Sequence, residues 1–324
     1  MRICVFGAGA VGGHFAARLD RGGAEVSVVA RGPHLEAIRR RGLIVRAADA
    51  EMVAKVRASD DPRELGPQDA VLVTLKAPAL PSLAAGIAPL LGPDTPVIFA
   101  MNGIPWWYFH AHGGPMDGRR LPSVDPGDGV WSAVGPQRAI GGVVYSGCTV
   151  VEPGVVHVGG ATSRLELGEP DGSMSARMAA IAEVFRKGGL AIDESARIRD
   201  RIWAKLLLNI TTGPLCVVTG STLGGLYRSP AIVAAMYRCL DEGAAIARAM
   251  GCTPPADLRG PLDKNRDNPH KPSILQDLEA GRPMEITALY EVPLELARLS
   301  GVDTPTLDLT VALAKHRAGR LAGG

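Results

Sequence analysis

Residues 1–31 read MRICVFGAGAVGGHFAARLDRGGAEVSVVAR, and the order of signals within them decides the fold class. Arg2–Phe6 is a short apolar run that stops at glycines, the pattern of a buried strand. From Val11 to Arg21 the residues Val11, Phe15 and Leu19 recur at helical spacing. Glu25–Ala30 is a second β-rich run. The same alternation continues outward: His34–Arg41 reads as a helix, Ala70–Leu75 as a third strand, Leu80–Leu91 as helical and Pro96–Ala100 as a fourth strand. Strands alternating with helices predict right-handed crossovers and a parallel sheet whose carboxyl ends open onto a ligand crevice.

Past residue 100 the pattern changes. Ala139–Val158 is rich in valine and glycine, and Glu152-Pro153-Gly154 forms a turn between Gly147–Val151 and Val155–Val158, which predicts an antiparallel hairpin. Ser175–Lys187 is helical and Leu190–Ile192 a short last strand. From Ala196 the text is mainly helical, over Ile198–Ile210, Ala231–Met250, Leu275–Ala280 and Tyr290–Leu299. The expected architecture is α/β: an N-terminal Rossmann-like parallel-sheet domain over residues 1–194, then an all-helical C-terminal domain over residues 195–324, whose long apolar helices suit a dimer.

Composition removes several function classes. The 324 residues carry 35 Lys and Arg against 33 Asp and Glu, a net charge of +2, which speaks against a nucleic-acid binder or a polybasic membrane-surface protein. At 46% hydrophobic residues the chain folds rather than remaining disordered. Cys4, Cys148, Cys216, Cys239 and Cys252 are scattered without a CxxC pair, so neither a zinc framework nor a disulfide scaffold is expected. His110 and His112 stand two apart beside Gly113-Gly114, with no cysteine or clustered carboxylate to complete a metal site. The N-terminus lacks the pattern of a secretory signal, and no run approaches the ~20 apolar residues that span a bilayer. A cytoplasmic protein is expected.

Gly7-Ala8-Gly9-Ala10-Val11-Gly12 is a GxGxxG in the context that gives the motif meaning: after a strand, opening a helix, within a βαβ unit. Gly7 allows the tight turn, Gly9 lets backbone approach a pyrophosphate, and Gly12 lets helix pack on sheet. The helix N-terminus then offers free N–H groups and a positive dipole end to phosphate. An NAD site usually places an acid at the end of the second strand. Here EVSVVA ends in Arg31, with no acid before Glu36. A guanidinium binds a 2′-phosphate bidentately, so NADP is favoured, the alternative being that Arg31 is a solvated surface arginine.

Lys205 and Asn209 stand four apart within RIWAKLLLNI, residues 201–210, and on a helix both project from one face. Their neighbours Trp203, Leu206, Leu207, Leu208 and Ile210 are apolar. One reading is a lysine that snorkels to solvent. The other is a partly desolvated ammonium beside an amide, whose lowered pKa suits a general acid that protonates a carbonyl oxygen as hydride arrives.

The series GAGAVGG, Arg31 after the second strand, Lys76 in VTLKAP, Asn102-Gly103, the Lys205–Asn209 pair and SILQDLEAGRPMEI from Ser273 to Ile286 resembles the ketopantoate reductases (2-dehydropantoate 2-reductases) in order and over nearly the whole chain. The resemblance implies a Rossmann domain, a helical domain, and NADPH reducing a 2-keto acid in the cleft between them. It makes Lys205 the general acid and Asn209 a substrate-binding amide. It makes Lys76 and Asn102 cofactor contacts near the cleft, with Asn102 also touching substrate, Ser273 a ligand for the substrate carboxylate, and Glu285 a cleft residue touching substrate or cofactor. Each has a plainer alternative: a strand-end lysine, an Asn-Gly turn, a helix cap for Ser273, a solvated acid for Glu285.

The chain also departs from the family pattern. Gly213 stands where a second substrate asparagine is usual, Leu223 where a further one is, and His270 replaces an asparagine three residues before Ser273. Trp106-Trp107-Tyr108-Phe109 is unusual text after Asn102-Gly103, readable either as a hydrophobic plug or oligomer contact, or as a substrate-facing wall. Fewer amides and more aromatic surface predict a substrate less polar or larger than ketopantoate. Two other readings compete: a β-hydroxyacid dehydrogenase-like oxidation of a 3-hydroxy acid, and a non-catalytic NADP sensor.

Overall fold

The computed structural model describes residues 1–322. The chain divides into two compact units, Met1–Met101 with Pro105–Ile198, and Asn102–Ile104 with Arg199–Gly324.

In the first unit the strands are β1 Arg2–Phe6, β2 Glu25–Val29, β3 Leu43–Arg46, β4 Glu51–Ala54, β5 Arg57–Ser59, β6 Ala70–Val73, β7 Val97–Ala100, β8 Ala139–Glu152, β9 Val155–Gly168 and β10 Ala191–Glu194. They form one sheet in the order β4-β3-β9-β8-β7-β6-β1-β2-β5, with β10 pairing β9. From β8 through β7, β6, β1 and β2 to β5 every pairing is parallel. Ile3, Cys4, Val5 and Phe6 are all buried, as are the four residues of β6, because central parallel strands are covered on both faces. Each such Val, Leu, Ile or Phe contributes about 1.5–3 kcal/mol of burial. The chain moves from β1 to β2 on one side and later returns to β6 on the other. That reversal puts a crevice at the carboxyl ends of β1 and β6.

The helices of this unit are α1 Ala10–Arg21, α2 Gly32–Arg41, α3 Leu80–Gly86, α4 Gly129–Val134 and α5 Ala176–Lys187. Phe15 of α1 meets Phe185 of α5 edge to face at 5.6 Å, a geometry that suits the ring quadrupoles. The hairpin β8–β9 is longer than its valine pattern predicts. The β3–β4 hairpin and β5 are strands that hydrophobic alternation leaves unmarked. Trp106, Trp107, Tyr108 and Phe109 are 0–2% exposed. Trp106 packs edge to face on Phe99 at 5.3 Å and on Trp131 at 5.7 Å. The run is therefore core, and the substrate-facing wall is set aside.

His14 of α1 is fully buried and shares a 2.9 Å hydrogen bond between Nε2 and the Ser163 hydroxyl of β9. Burial, and then the neighbouring Arg18 charge, lower its pKa from 6.5 to about 4, with Asp49 opposing. Folding thus holds this imidazole neutral while the unfolded chain protonates it near 6.5. Its contribution is complete above that pH and disappears as pH falls through about 4, amounting to roughly 3 kcal/mol. Denaturant titrations of wild type and His14→Gln between pH 7 and 4 should give curves that converge as the medium becomes more acid. Parallel curves would contradict the assignment.

The second unit holds α6 Ile198–Thr219, α7 Pro230–Ala249, α8 Gly260–Asp263, α9 Ser273–Glu279, α10 Val292–Ser300 and α11 Pro305–Ala322, with a π-helical turn at Thr287–Glu291. Leu215, Cys216, Leu226, Met236 and Leu275 pack together as one core cluster. Contrary to expectation, α6 runs on past Ile210 and through Pro214. An internal proline costs about 3 kcal/mol, which burial of Leu215, Cys216 and Val217 offsets. By length and composition α6 could cross a membrane, so the expectation that no segment approaches that length is corrected. Yet 67% of its apolar window is buried inside the protein, as in a core helix.

Candidate active site

The glycine turn leaves β1 at its carboxyl end. Gly7 sits at φ +103°, a conformation L side chains rarely adopt. Gly7 and Ala8 donate their N–H groups to the Val29 carbonyl at 3.1 Å each, tying the turn to β2. The Thr74 hydroxyl donates to the Gly7 carbonyl at 2.7 Å. A Cβ on Gly12 would collide with both that carbonyl and that hydroxyl, so this glycine is demanded by packing. Gly9 differs. It is exposed, and a Cβ there would meet no protein atom within 4 Å. Gly9 is also the N-cap of α1 and supplies no side-chain cap, so the first-turn amides at Ala10, Val11 and Gly12 have no acceptor within the helix. This cradle fits a dinucleotide pyrophosphate.

Two residues that sequence reading passed over hold the cradle. One is Thr74. The other is His34 of α2, whose Nδ1 accepts the Gly154 N–H at 3.0 Å. That assigns the proton to Nε2, which donates to the Ala8 carbonyl at 2.7 Å. No local pattern announces His34, because its partners lie 26 and 120 residues away. Arg31 is the N-cap residue of α2 at the end of β2; it is exposed, its carbonyl accepts the Leu35 N–H at 3.4 Å, and among the described residues its side chain makes no hydrogen bond or ion pair. Lys76 is exposed three residues beyond β6. Gly7–Gly12, Arg31 and Lys76 thus follow the adjacent strands β1, β2 and β6.

In the second unit Lys205, Asn209 and Gly213 succeed one another at intervals of four along α6. Lys205 and Asn209 are half-buried, whereas Trp203, Leu206, Leu207 and Ile210 are buried. The Lys205 Nζ donates to Asn102 Oδ1 at 2.7 Å. The same amide donates through Nδ2 to Glu285 Oε2 at 3.3 Å, and Glu285 is only 6% exposed. Ammonium, amide and carboxylate form a line in which each polar atom meets its complement.

The π turn explains why Asn102 is there. Pro293 has no N–H, so the turn before it lacks a helical donor for its carbonyls. The Ala288 carbonyl instead accepts the Ile104 N–H at 3.0 Å. Gly103, at φ +82°, lies so close that a Cβ would press on the Ala288 backbone. Asn102-Gly103 is therefore a docked turn that delivers an amide to Lys205.

Tyr290, on the same π turn, is 2% exposed. A Cβ on Gly213 would overlap its hydroxyl. Burial, with Cys216 and Glu285 adding, pushes its phenol well above its usual range, so it stays protonated. Among the described residues that hydroxyl makes no hydrogen bond. Ser273 is the first residue of α9 and exposed, and the capping position belongs to Pro272 without a side-chain bond, so Ser273 does not cap. Leu223 and His270, the other two departures, are paired: the Leu223 N–H donates to the His270 carbonyl at 2.9 Å.

A glycine-turn α/β unit followed by a helical unit carrying a lysine–amide–carboxylate line defines the class of two-unit nucleotide-dependent oxidoreductases. Models of two families match, Ketopantoate reductase PanE/ApbA over residues 3–111 and Ketopantoate reductase PanE/ApbA C terminal over residues 197–318. A 2-dehydropantoate 2-reductase of Mesorhizobium japonicum is 44% identical over 98% of each chain. A crystal structure from Ralstonia solanacearum MolK2, assigned to the ketopantoate reductases, superposes at TM-score 0.92 with 41% identity, covering 99% of this chain and 98% of that one. D-mandelate dehydrogenase, solved with NADH and anilino(oxo)acetate, shares the fold at TM-score 0.82 and 22% identity, covering 99% of both chains. The chain belongs to the ketopantoate reductase family.

Proposed function

We propose that this protein uses NADPH to reduce a 2-keto acid, foremost 2-dehydropantoate, to the 2-hydroxy acid. The observation that carries the reading is the Lys205 ammonium held on Asn102 Oδ1 at 2.7 Å, with Glu285 behind it. When bound, the nicotinamide supplies hydride to the carbonyl carbon. Lys205 gives one proton to the carbonyl oxygen, which completes the alcohol. Asn102 fixes the ammonium, and Glu285 fixes which end of that amide faces the lysine. Asn209, one turn along α6, orients the substrate oxygen, and the exposed Ser273 hydroxyl takes the carboxylate. Gly7–Gly12 receive the pyrophosphate, with Lys76 a further cofactor contact. Arg31 takes the 2′-phosphate, its guanidinium making no hydrogen bond or ion pair among the described residues.

A panel of 2-keto acids assayed with NADPH and NADH side by side tests the reaction and the coenzyme together. Turnover of 2-dehydropantoate with NADPH preferred is expected. Arg31→Ala should reduce that preference roughly 10- to 100-fold, the worth of a charge-assisted hydrogen bond. An unchanged coenzyme ratio in the variant would make Arg31 an ordinary surface residue. Absence of turnover with every 2-keto acid would refute the reductase reading.

A further inference from the structure

The hydroxyl of Tyr290 is a polar group on the second unit that, among the described residues, makes no hydrogen bond, and it stands at Gly213, one helical step beyond Lys205 and Asn209 on the same stripe of α6. It takes the space that a side chain at 213 would fill, on the stripe of α6 that begins with Lys205 and Asn209. Its ring is enclosed, the residue being 2% exposed, yet among the described residues the hydroxyl has no hydrogen-bond partner. A phenylalanine would fill the same space, so packing alone does not call for the hydroxyl. The π turn that presents it belongs to a class of helix irregularity frequent at functional sites. Ile274, which follows Ser273, has its Cγ2 3.4 Å from the same point above Gly213. Lys205, Asn209, the Ser273–Ile274 step and the phenol therefore bracket one region of the second unit.

We propose that the Tyr290 hydroxyl recognises a polar tail on the substrate, donating a hydrogen bond to an oxygen beyond the reacting carbonyl. This rests on the 2-keto acid reading above. Tyr290 is then a specificity-determining residue, favouring a 2-keto acid whose chain carries a hydroxyl, as 2-dehydropantoate does at C4, over a purely hydrocarbon one. The phenol supplies polarity beside Gly213, where the sequence reading expected a less polar substrate. Because the phenol stays protonated across the working range, it serves as a constant donor.

The test compares 2-dehydropantoate with its 4-deoxy counterpart in wild type and Tyr290→Phe. Wild type should favour the hydroxylated acid, and Tyr290→Phe should raise its KM about tenfold, the effect of one hydrogen bond. Its kcat, and both constants for the deoxy acid, should stay within twofold. Gly213→Asn combined with Tyr290→Leu, which returns a polar side chain to the vacated space, should recover part of the preference. Calorimetric binding of both acids to the NADP⁺-loaded protein reads the same discrimination without turnover. An unchanged preference in Tyr290→Phe overturns the proposal, as does an equal loss of kcat on both acids, which would make Tyr290 a structural support. Discrimination seen in binding without any reduction upholds the tail contact while the reductase reading fails. Turnover without discrimination does the reverse.

Discussion

On the proposed mechanism Lys205→Ala should lower kcat by a factor of about 10²–10⁴, the range general acid catalysis supplies, while NADPH affinity should hold within a fewfold. The asymmetry follows from when the proton matters. Alkoxide charge develops only as hydride arrives, so an ammonium aimed at that oxygen stabilises the transition state far more than the bound ground state. Lys205→Arg preserves a cation beside Asn102 Oδ1 but substitutes a group that cannot give up its proton, and so should fail almost as badly. Steady-state turnover together with nucleotide titration by fluorescence separates the effects. Near-normal kcat in Lys205→Ala would remove the lysine from the chemistry.

Placing alanine at two glycines of the same turn should produce two different defects. At Gly12 the added Cβ would strike the Gly7 carbonyl and the Thr74 hydroxyl, atoms themselves joined at 2.7 Å. The turn must shift, and both thermal stability and nucleotide affinity should fall, the latter by about 100-fold for a displacement near 1 Å. At Gly9 the methyl meets no protein atom. Gly9→Ala should therefore melt with wild type and still bind NADPH at least tenfold more weakly, since the methyl enters the space a pyrophosphate needs. Calorimetric melting and NADPH titration of both variants provide the check. Wild-type affinity in Gly9→Ala would mean that the open face of the turn is not a phosphate seat.

The strands that set the position of the glycine turn were legible because each is a short apolar run closed by punctuation. Arg2–Phe6 and Glu25–Val29 are such runs, and the structure ends each within a residue of its reading. Arg57–Ser59 was not legible. Three residues reading RAS carry no hydrophobic pattern and become a strand only because β2 offers an edge. The C-terminal helix Pro305–Ala322 likewise escaped the helical reading, its charged face interrupting the apolar spacing. The helix expected to end at Ile210 continues to Thr219, through Pro214, because that stretch is buried.

Sequence by itself determined the βαβ order, the glycine turn at the end of the first strand, the four-residue step from Lys205 to Asn209, and the family. All of these are local or ordered patterns, and local chemistry writes them. Tertiary structure alone decided that Asn102 lies between Lys205 and Glu285, 103 and 183 residues away along the chain. It alone decided that Trp106–Phe109 is core, that His34 braces the glycine turn, and that a phenol stands over Gly213. Each of these depends on distant segments meeting to satisfy a buried polar atom or fill a space, and spacing along a chain does not encode such a meeting.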